Sequence, residues 1–305
     1  MNYYEKENEI NVRFMNTGEI YHLCTPENFD IIFAAEDDFK AGMSLMGLCA
    51  KLYPEVRIFT FELMSNHIHI LMAGEEIRTR LFFDEYKKAL ERHFKESDKN
   101  IHWKDFTCKL IRVNSLDNFR NVIAYINRNG FVVHPDCTPF SYEWGANRFF
   151  FNPEAKARHR SNWVQMTQTA RQTVSHSRKY DYVEGLYVID DYVTPLYFCD
   201  IEGGEAIFRD ARHYFSKISK SIESMKDIAA SIGEHIYYTD DDLFSITVKM
   251  SQEQFGEARP SLLDKEAKLK LAMALHYDFN ASNKQVQRIL RLDNYIVKGL
   301  FPNNR

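Results

Sequence analysis

The chain has 305 residues, 45% of them hydrophobic and 14% aromatic, which supplies a packed core and excludes a disordered protein. Its formal net charge of −4 gives no overall attraction to nucleic acid, so such a role depends on how charge is distributed. No apolar run approaches a membrane span, and the start, MNYYEKENEI, lacks a signal-peptide pattern. Cys24, Cys49, Cys108, Cys137 and Cys199 form no CxxC pair, so a soluble protein of the reducing cytoplasm is expected, without a membrane partner.

Residues 9–14, EINVRF, read as a strand, as do residues 20–25, IYHLCT, with Pro26 and Asn28 marking the turn that follows. Residues 27–52 read as a helix, with Phe29, Ile32 and Phe33 in its first turns. After Pro54, VRIFTFEL and NHIHILMAG are two strands joined through a two-residue turn at Ser65-Asn66. Residues 75–97 form an amphipathic helix and 106–113 a strand. A helix over 116–129 carries Phe119, Val122, Ile123 and Ile126 as one apolar stripe, and Gly130 closes it. This order predicts an α+β domain over 1–152: a split βαβ, ferredoxin-like core with an antiparallel sheet and one further helix.

The second half differs in composition. From Ala155 to Tyr180 there is no Asp or Glu, while Lys156, Arg158, Arg160, Arg171, Arg178 and Lys179 are all positive, accompanied by His159, His176 and Trp163. A solvated basic helix and a surface that tracks phosphates both fit this stretch, which opens a basic, partly helical connecting region over 153–225. Residues 226–305 read as a helical domain, with Asp240, Asp241 and Asp242 at the turn and cap of a helix. Ser282 and Asp293 are expected N-caps of two short helices, whose shared core is Val286, Ile289, Leu290, Leu292, Ile296, Val297 and Leu300. That is a helix-turn-helix-like pattern, and Lys265, Lys268, Lys270, Lys284, Arg288, Arg291, Lys298 and Arg305 outnumber the acids around them. A plain helical bundle is the alternative.

The chemistry lies in MSNHIHIL, residues 64–71. Alternation along a strand puts His67 and His69 on one face and Ile68 and Ile70 on the other. Two imidazoles on one face of an apolar strand need polar partners, and a metal ion satisfies both, but two ligands do not complete a site. On the helix after the last core strand, Tyr125 and Asn129 stand four residues apart, on the flank of its apolar stripe. Spacing alone does not separate Tyr125 from a rim tyrosine with its hydroxyl in water.

The run MSNHIHIL resembles the histidine–hydrophobe–histidine (HUH) motif of single-tyrosine transposases, in which a small residue and Asn precede the first His. YINRN, 125–129, is similar to the tyrosine helix of REP-associated tyrosine transposases and related insertion-sequence transposases, where an amide follows the tyrosine by four positions. IHWKDFTCKLIRV resembles the Trp-and-Phe segment before the last core strand, and TPFSYEWG the Pro–aromatic–Ser segment after the helix. The likeness covers about the first half of the chain. It departs at Asn127-Arg128-Asn129-Gly130, where many relatives have Asn-Pro; Asn127 lies on a different helix face from Tyr125.

The resemblance implies a metal-dependent single-stranded DNA endonuclease and strand transferase. His67, His69 and Asn129 would hold one Mg²⁺ or Mn²⁺, and Tyr125 would be the nucleophile that forms a 5′-phosphotyrosine. Expected partners are single-stranded DNA beside a hairpin and a second copy of the chain, in a nucleoid-associated setting. Lys156, Arg158, Arg160, Arg171, Arg178, Lys179, Lys284, Arg288, Arg291 and Lys298 are the expected phosphate contacts. Two rival readings are a domesticated sequence-specific DNA-binding regulator that keeps the fold without cutting, and a metal-dependent hydrolase in which His93 or His102 joins the pair. Tyr86 is the reserve nucleophile.

Overall fold

The computed structural model describes residues 3–27, 29–95, 99, 101–133, 141–158, 160–175, 177–219, 238 and 240–302. Asn28, Cys137, His159, His176 and Arg305, singled out above, lie outside the described residues, as do residues 138–140 of the TPFSYEWG segment. The protein is mixed α+β and divides into two compact units, Met1–Gly130 with Cys137–Ser219, and Phe131–Asp136 with Lys220–Arg305.

The first unit is built on a four-stranded sheet of β1 (Ile20–Cys24), β2 (Arg57–Leu63), β3 (Ile68–Ala73) and β4 (Lys109–Arg112). Their order is β2-β3-β1-β4 and every neighbouring pair is antiparallel. Helix α2 (Glu36–Leu52) joins β1 to β2, and α3 (Glu76–Phe94) joins β3 to β4. Between β2 and β3, Met64 N–H donates to the His67 carbonyl, which closes the expected two-residue turn at Ser65-Asn66.

Two elements depart from expectation. Residues 9–14 are not a strand but part of helix α1, Tyr3–Met15. Ile10, Val12 and Phe14 mimic strand alternation, yet Val12 is 56% exposed, whereas Ile10 is buried and Phe14 packs on Phe119. The real period is the helical four-residue step, supported by an Arg13–Glu9 ion pair. Helix α2 starts at Glu36, not at 27, because Ile32 and Phe33 lie in a non-helical segment and both donate their N–H to the Ser65 carbonyl. Asp38 then accepts from the Ala34 and Ala35 N–H groups, so the helix begins where its own side chain can serve its first turn.

The two faces of the sheet carry different covers. On the Ile68/Ile70 side, α2 lies close enough that a Cβ at Gly42 would fall 2.5 Å from the Phe33 ring and 2.9 Å from Leu63, and Tyr86 of α3 donates to the Gly42 carbonyl. On the His69 side lies α4, which runs from Leu116 through Gly130 to Val133, so Gly130 does not cap it. From Phe119 to Asn129 helix α4 is buried on every side but for half-buried Asn121, where a stripe was expected, because α1, α7 (Ile201–Ala206) and α8 (Ala211–Ile218) cover its outer side. Arg120 is held by Glu7 and the Ile207 carbonyl, Asn127 by Thr60 and Tyr214, and Ile123 meets the Gly204 backbone.

Residues 153–219 belong to this first unit and wrap it. They are not one basic helix: α5 (Pro153–Ala157), α6 (Gln168–Ser175) and a small sheet of β5 (Ser161–Asn162), β6 (Tyr187–Ile189) and β7 (Tyr192–Val193) alternate with short 3₁₀ turns. Asp190 and Asp191, both at positive φ (49° and 68°), make the β6–β7 hairpin turn. Segment 144–146 lines the free edge of β2, through Leu63 N–H to the Trp144 carbonyl and Ala146 N–H to the Phe61 carbonyl. Glycine at 145 permits that approach, since a Cβ there would stand 2.6 Å from the Phe61 carbonyl oxygen.

In the second unit, helices Asp240–Phe255, Lys265–Tyr277, Asn283–Leu290 and Asn294–Leu300 enclose Leu243, Leu271, Leu275, Val286, Leu290, Leu292, Val297 and Phe301. Ser282 caps its helix with a reciprocal Gln285 contact; Asp293 takes the cap position without a side-chain bond. Arg291, at φ 51°, makes the left-handed bend between the last two helices. Among the described residues no helix is long and apolar enough to cross a membrane.

Candidate active site

His69 lies on β3 with a neighbour on either side, its register partners being Cys24 on β1 and Glu62 on β2. His67 sits just before the strand, on the last residue of the hairpin turn. Both are buried, their ring centroids 5.0 Å apart and nearly perpendicular. Tyr125 comes down from α4 onto the same face: its ring is 5.6 Å from that of His69, edge-on. It is 1% exposed, so it is a buried tyrosine and not one on the rim. Asn129, one turn further along α4, is buried too, and its amide nitrogen has no hydrogen-bond partner among the described residues.

Each imidazole has a defined near neighbour. The Asn66 side-chain oxygen lies 2.9 Å from His67 Nδ1, and the Asn66 amide nitrogen donates to the Glu27 carbonyl. His69 Nδ1 lies 3.2 Å from Nε2 of a third histidine, His22 on β1. The opposite nitrogens, His69 Nε2 and His22 Nδ1, are buried without a partner among the described residues. Burial lowers the pKa of His22 and His67 to about 3, and that of His69 well below its ordinary value, with the neighbouring histidines adding to the effect. All three are therefore neutral at physiological pH, the state in which an imidazole nitrogen can bind a metal.

Two neutral imidazoles, a buried amide and an unpartnered ring nitrogen suit a hard or borderline divalent cation that keeps open positions for phosphate oxygen and water. Among the described residues no three His, Cys, Asp or Glu side chains converge on one cation position, and the amide of Asn129 lies outside that set of residue types. The other candidates stand elsewhere. Tyr86 is buried on the opposite side of the sheet, its hydroxyl given to Gly42 and its pKa pushed far up by burial. His93 is on α3, and His102 is exposed and held by Asp30. Asn127 is engaged by Thr60 and Tyr214.

Most expected phosphate contacts of the connecting region have partners inside the unit. Lys156 pairs with Glu205, Arg158 with Asp190 and Lys179 with Glu85. Arg160 donates to the Tyr197 hydroxyl and to backbone carbonyls, and Arg171 to the Val164 and Met166 carbonyls. Arg178 is exposed, with no side-chain partner among the described residues. In the second unit Arg288 holds Asp240 through two bonds, while Lys284, Arg291 and Lys298 are exposed and unpaired among the described residues.

Sequence reasoning missed His22 and Glu62. A single histidine in IYHLCT carries no signal by itself, and only the β1–β3 register brings it to His69. Glu62 was within reach, since alternation in RIFTFEL sets it apart from its apolar neighbours. Compared with protein-family models, with characterised proteins and with solved structures, the chain finds no match.

Proposed function

We propose that the protein is a metal-dependent single-stranded DNA endonuclease and strand transferase of the HUH type, working through a 5′-phosphotyrosine at hairpin-flanked sites. The observation that carries this reading is the approach of the Tyr125 ring to His69, 5.6 Å between centroids, on the same sheet face that His67 shares. The strand order β2-β3-β1-β4, joined by helices α2 and α3, supports a ferredoxin-like split βαβ core and with it the reading.

In this scheme His67, His69 and Asn129 would hold Mg²⁺ or Mn²⁺, which when bound would supply Lewis-acid polarisation of the scissile phosphate and offset its charge. A tyrosine hydroxyl is protonated at neutral pH and becomes a competent nucleophile only beside such positive charge. Tyr125 Oη attacks phosphorus, and the Oη–P bond forms as the P–O3′ bond breaks. The phenolic proton is released, the departing O3′ takes one up, and the products are a 5′-phosphotyrosine and a 3′-OH. The reverse attack, by the 3′-OH of another strand, completes transfer without ATP because the phosphotyrosine keeps the phosphodiester's energy.

The test is a denaturation-resistant adduct between the purified chain and pooled single-stranded hairpin DNA in Mg²⁺ or Mn²⁺. Tyr125→Phe is expected to reduce the adduct at least ~10⁴-fold with DNA binding kept, as loss of a covalent nucleophile does. An undiminished adduct would falsify the assignment of Tyr125. The burial of Tyr125 favours a second reading, a regulator that binds DNA without cutting. Sequence-specific binding with no adduct on any single-stranded substrate is its signature.

A further inference from the structure

A neutral imidazole offers a lone pair at Nε2 only when its proton sits on Nδ1. His67 is set in this way by its neighbour, because the Asn66 oxygen 2.9 Å from its Nδ1 can only accept. That amide cannot turn over without losing its donation to the Glu27 carbonyl. His69 has no carboxamide at Nδ1; what stands there, at 3.2 Å, is His22 Nε2.

We propose that His22 is a positioning residue, whose Nε2 accepts the Nδ1 proton of His69 and so directs the His69 Nε2 lone pair toward the cation. The inference rests on the reading of His67 and His69 as metal ligands. Three observations carry it. The rings of His22 and His69 are nearly parallel, 26° apart with centroids at 5.3 Å, and the β1–β3 ladder holds both backbones. His69 Nε2, the atom left for the cation, is buried with no partner among the described residues. His22 is itself fully buried and among the described residues makes one side-chain hydrogen bond, the one to His69, with its other nitrogen unpartnered there. A leucine would fill that space with no orphaned nitrogen, so the imidazole is a poor choice for packing alone. Nor is His22 a third ligand: its near nitrogen is engaged by His69, and the three histidines do not converge on one position. Partners of this kind fix the tautomer and orientation of the ligand they touch.

The experiment has two arms. In the metal-free wild type, ¹⁵N-resolved NMR of the histidine rings is expected to show His69 as the Nδ1–H tautomer; an Nε2–H tautomer overturns the proposal without any variant being made. In the second arm Mn²⁺ affinity is measured for the wild type, His22→Phe and His22→Gln. Phenylalanine keeps the stacked ring but cannot accept, and a loss of ~10–100-fold is expected. Glutamine, whose oxygen can stand near the Nε2 position, is expected to recover most of it. Equal Mn²⁺ affinity in His22→Phe overturns the proposal while leaving the metal site standing. If the wild type binds no Mn²⁺, the ligand reading fails, and the NMR arm still decides the His22–His69 contact.

Discussion

Strand β3 presents two unlike faces only one residue apart. Ile68 and Ile70 look toward α2 and α3 and are fully buried among apolar side chains. His67 and His69 look toward α4 and are buried as completely, in company with His22, Glu62, Thr60 and Asn129. Burial is thus equal while its energetic consequence is opposite. The first face gains from apolar area removed from water, and the second pays desolvation for His22 Nδ1, His69 Nε2 and the Asn129 amide nitrogen, which are unpartnered among the described residues. On the proposed reading, stability comes from one side of the strand and reactivity is held at the other.

The contrast breaks most directly by exchanging the faces' chemistry. Ile70→Ala is expected to lower stability by about 2–5 kcal/mol, the cost of a cavity in a core that cannot collapse. His67→Leu with His69→Leu is expected to abolish Mn²⁺ binding and adduct formation, yet to change stability by no more than about 1–2 kcal/mol, because losing the orphaned His69 Nε2 offsets the partner that His22 gives up. Denaturant unfolding of the metal-free proteins reads both. A large loss of stability in the double histidine variant would mean that the imidazoles hold the core together, and the division between the faces would fall.

Acid sharpens the same comparison. An unfolded histidine takes up its proton near ~6.5, whereas His22 and His67 in the folded chain do so only at about 3. Between those values the unfolded chain binds more protons, so stability is complete above pH ~6.5 and falls as pH is lowered. At pH 5 each such imidazole removes roughly 2 kcal/mol, and the wild type in EDTA should weaken steeply between pH 6.5 and 4. His67→Leu with His69→Leu should show a shallower slope in that window, by about two protons' worth. Parallel pH profiles for the two proteins would count against neutral, desolvated imidazoles on this face.

The order of elements from β1 to α4 was legible because each long segment carries its own period: strand alternation in RIFTFEL, and helical spacing at Phe119, Val122, Ile123 and Ile126. The pair His67 and His69 was legible for the same reason, since alternation carried one residue past the start of β3 sets both side chains on one face. What short-range pattern cannot carry is register between distant segments. Ile10, Val12 and Phe14 alternate by coincidence inside a helix, and only the contact of Phe14 with Phe119 shows which period is real. His22 gains meaning only through the β1–β3 ladder. The basic run 155–180 looked uncompensated because the acids that meet it, Glu85, Asp190 and Glu205, lie outside the run.

That last difference gives the smallest and most selective effect. Lys284, Arg291 and Lys298 are exposed and unpaired among the described residues, whereas Lys156, Arg158 and Lys179 already have carboxylate partners. A cation that releases counterions from a hairpin stem contributes ~0.9 to the slope of log affinity against log salt. Changing Lys284 or Lys298 to Gln is therefore expected to reduce that slope by about one, with little change in stability. Lys156→Gln should leave the slope unchanged and cost about 1–2 kcal/mol of stability, because its charge is already committed to the largely buried Glu205. Salt titrations of hairpin DNA binding separate the two sets, and the opposite pattern would make the wrapped segment, not the helical unit, the surface that meets DNA.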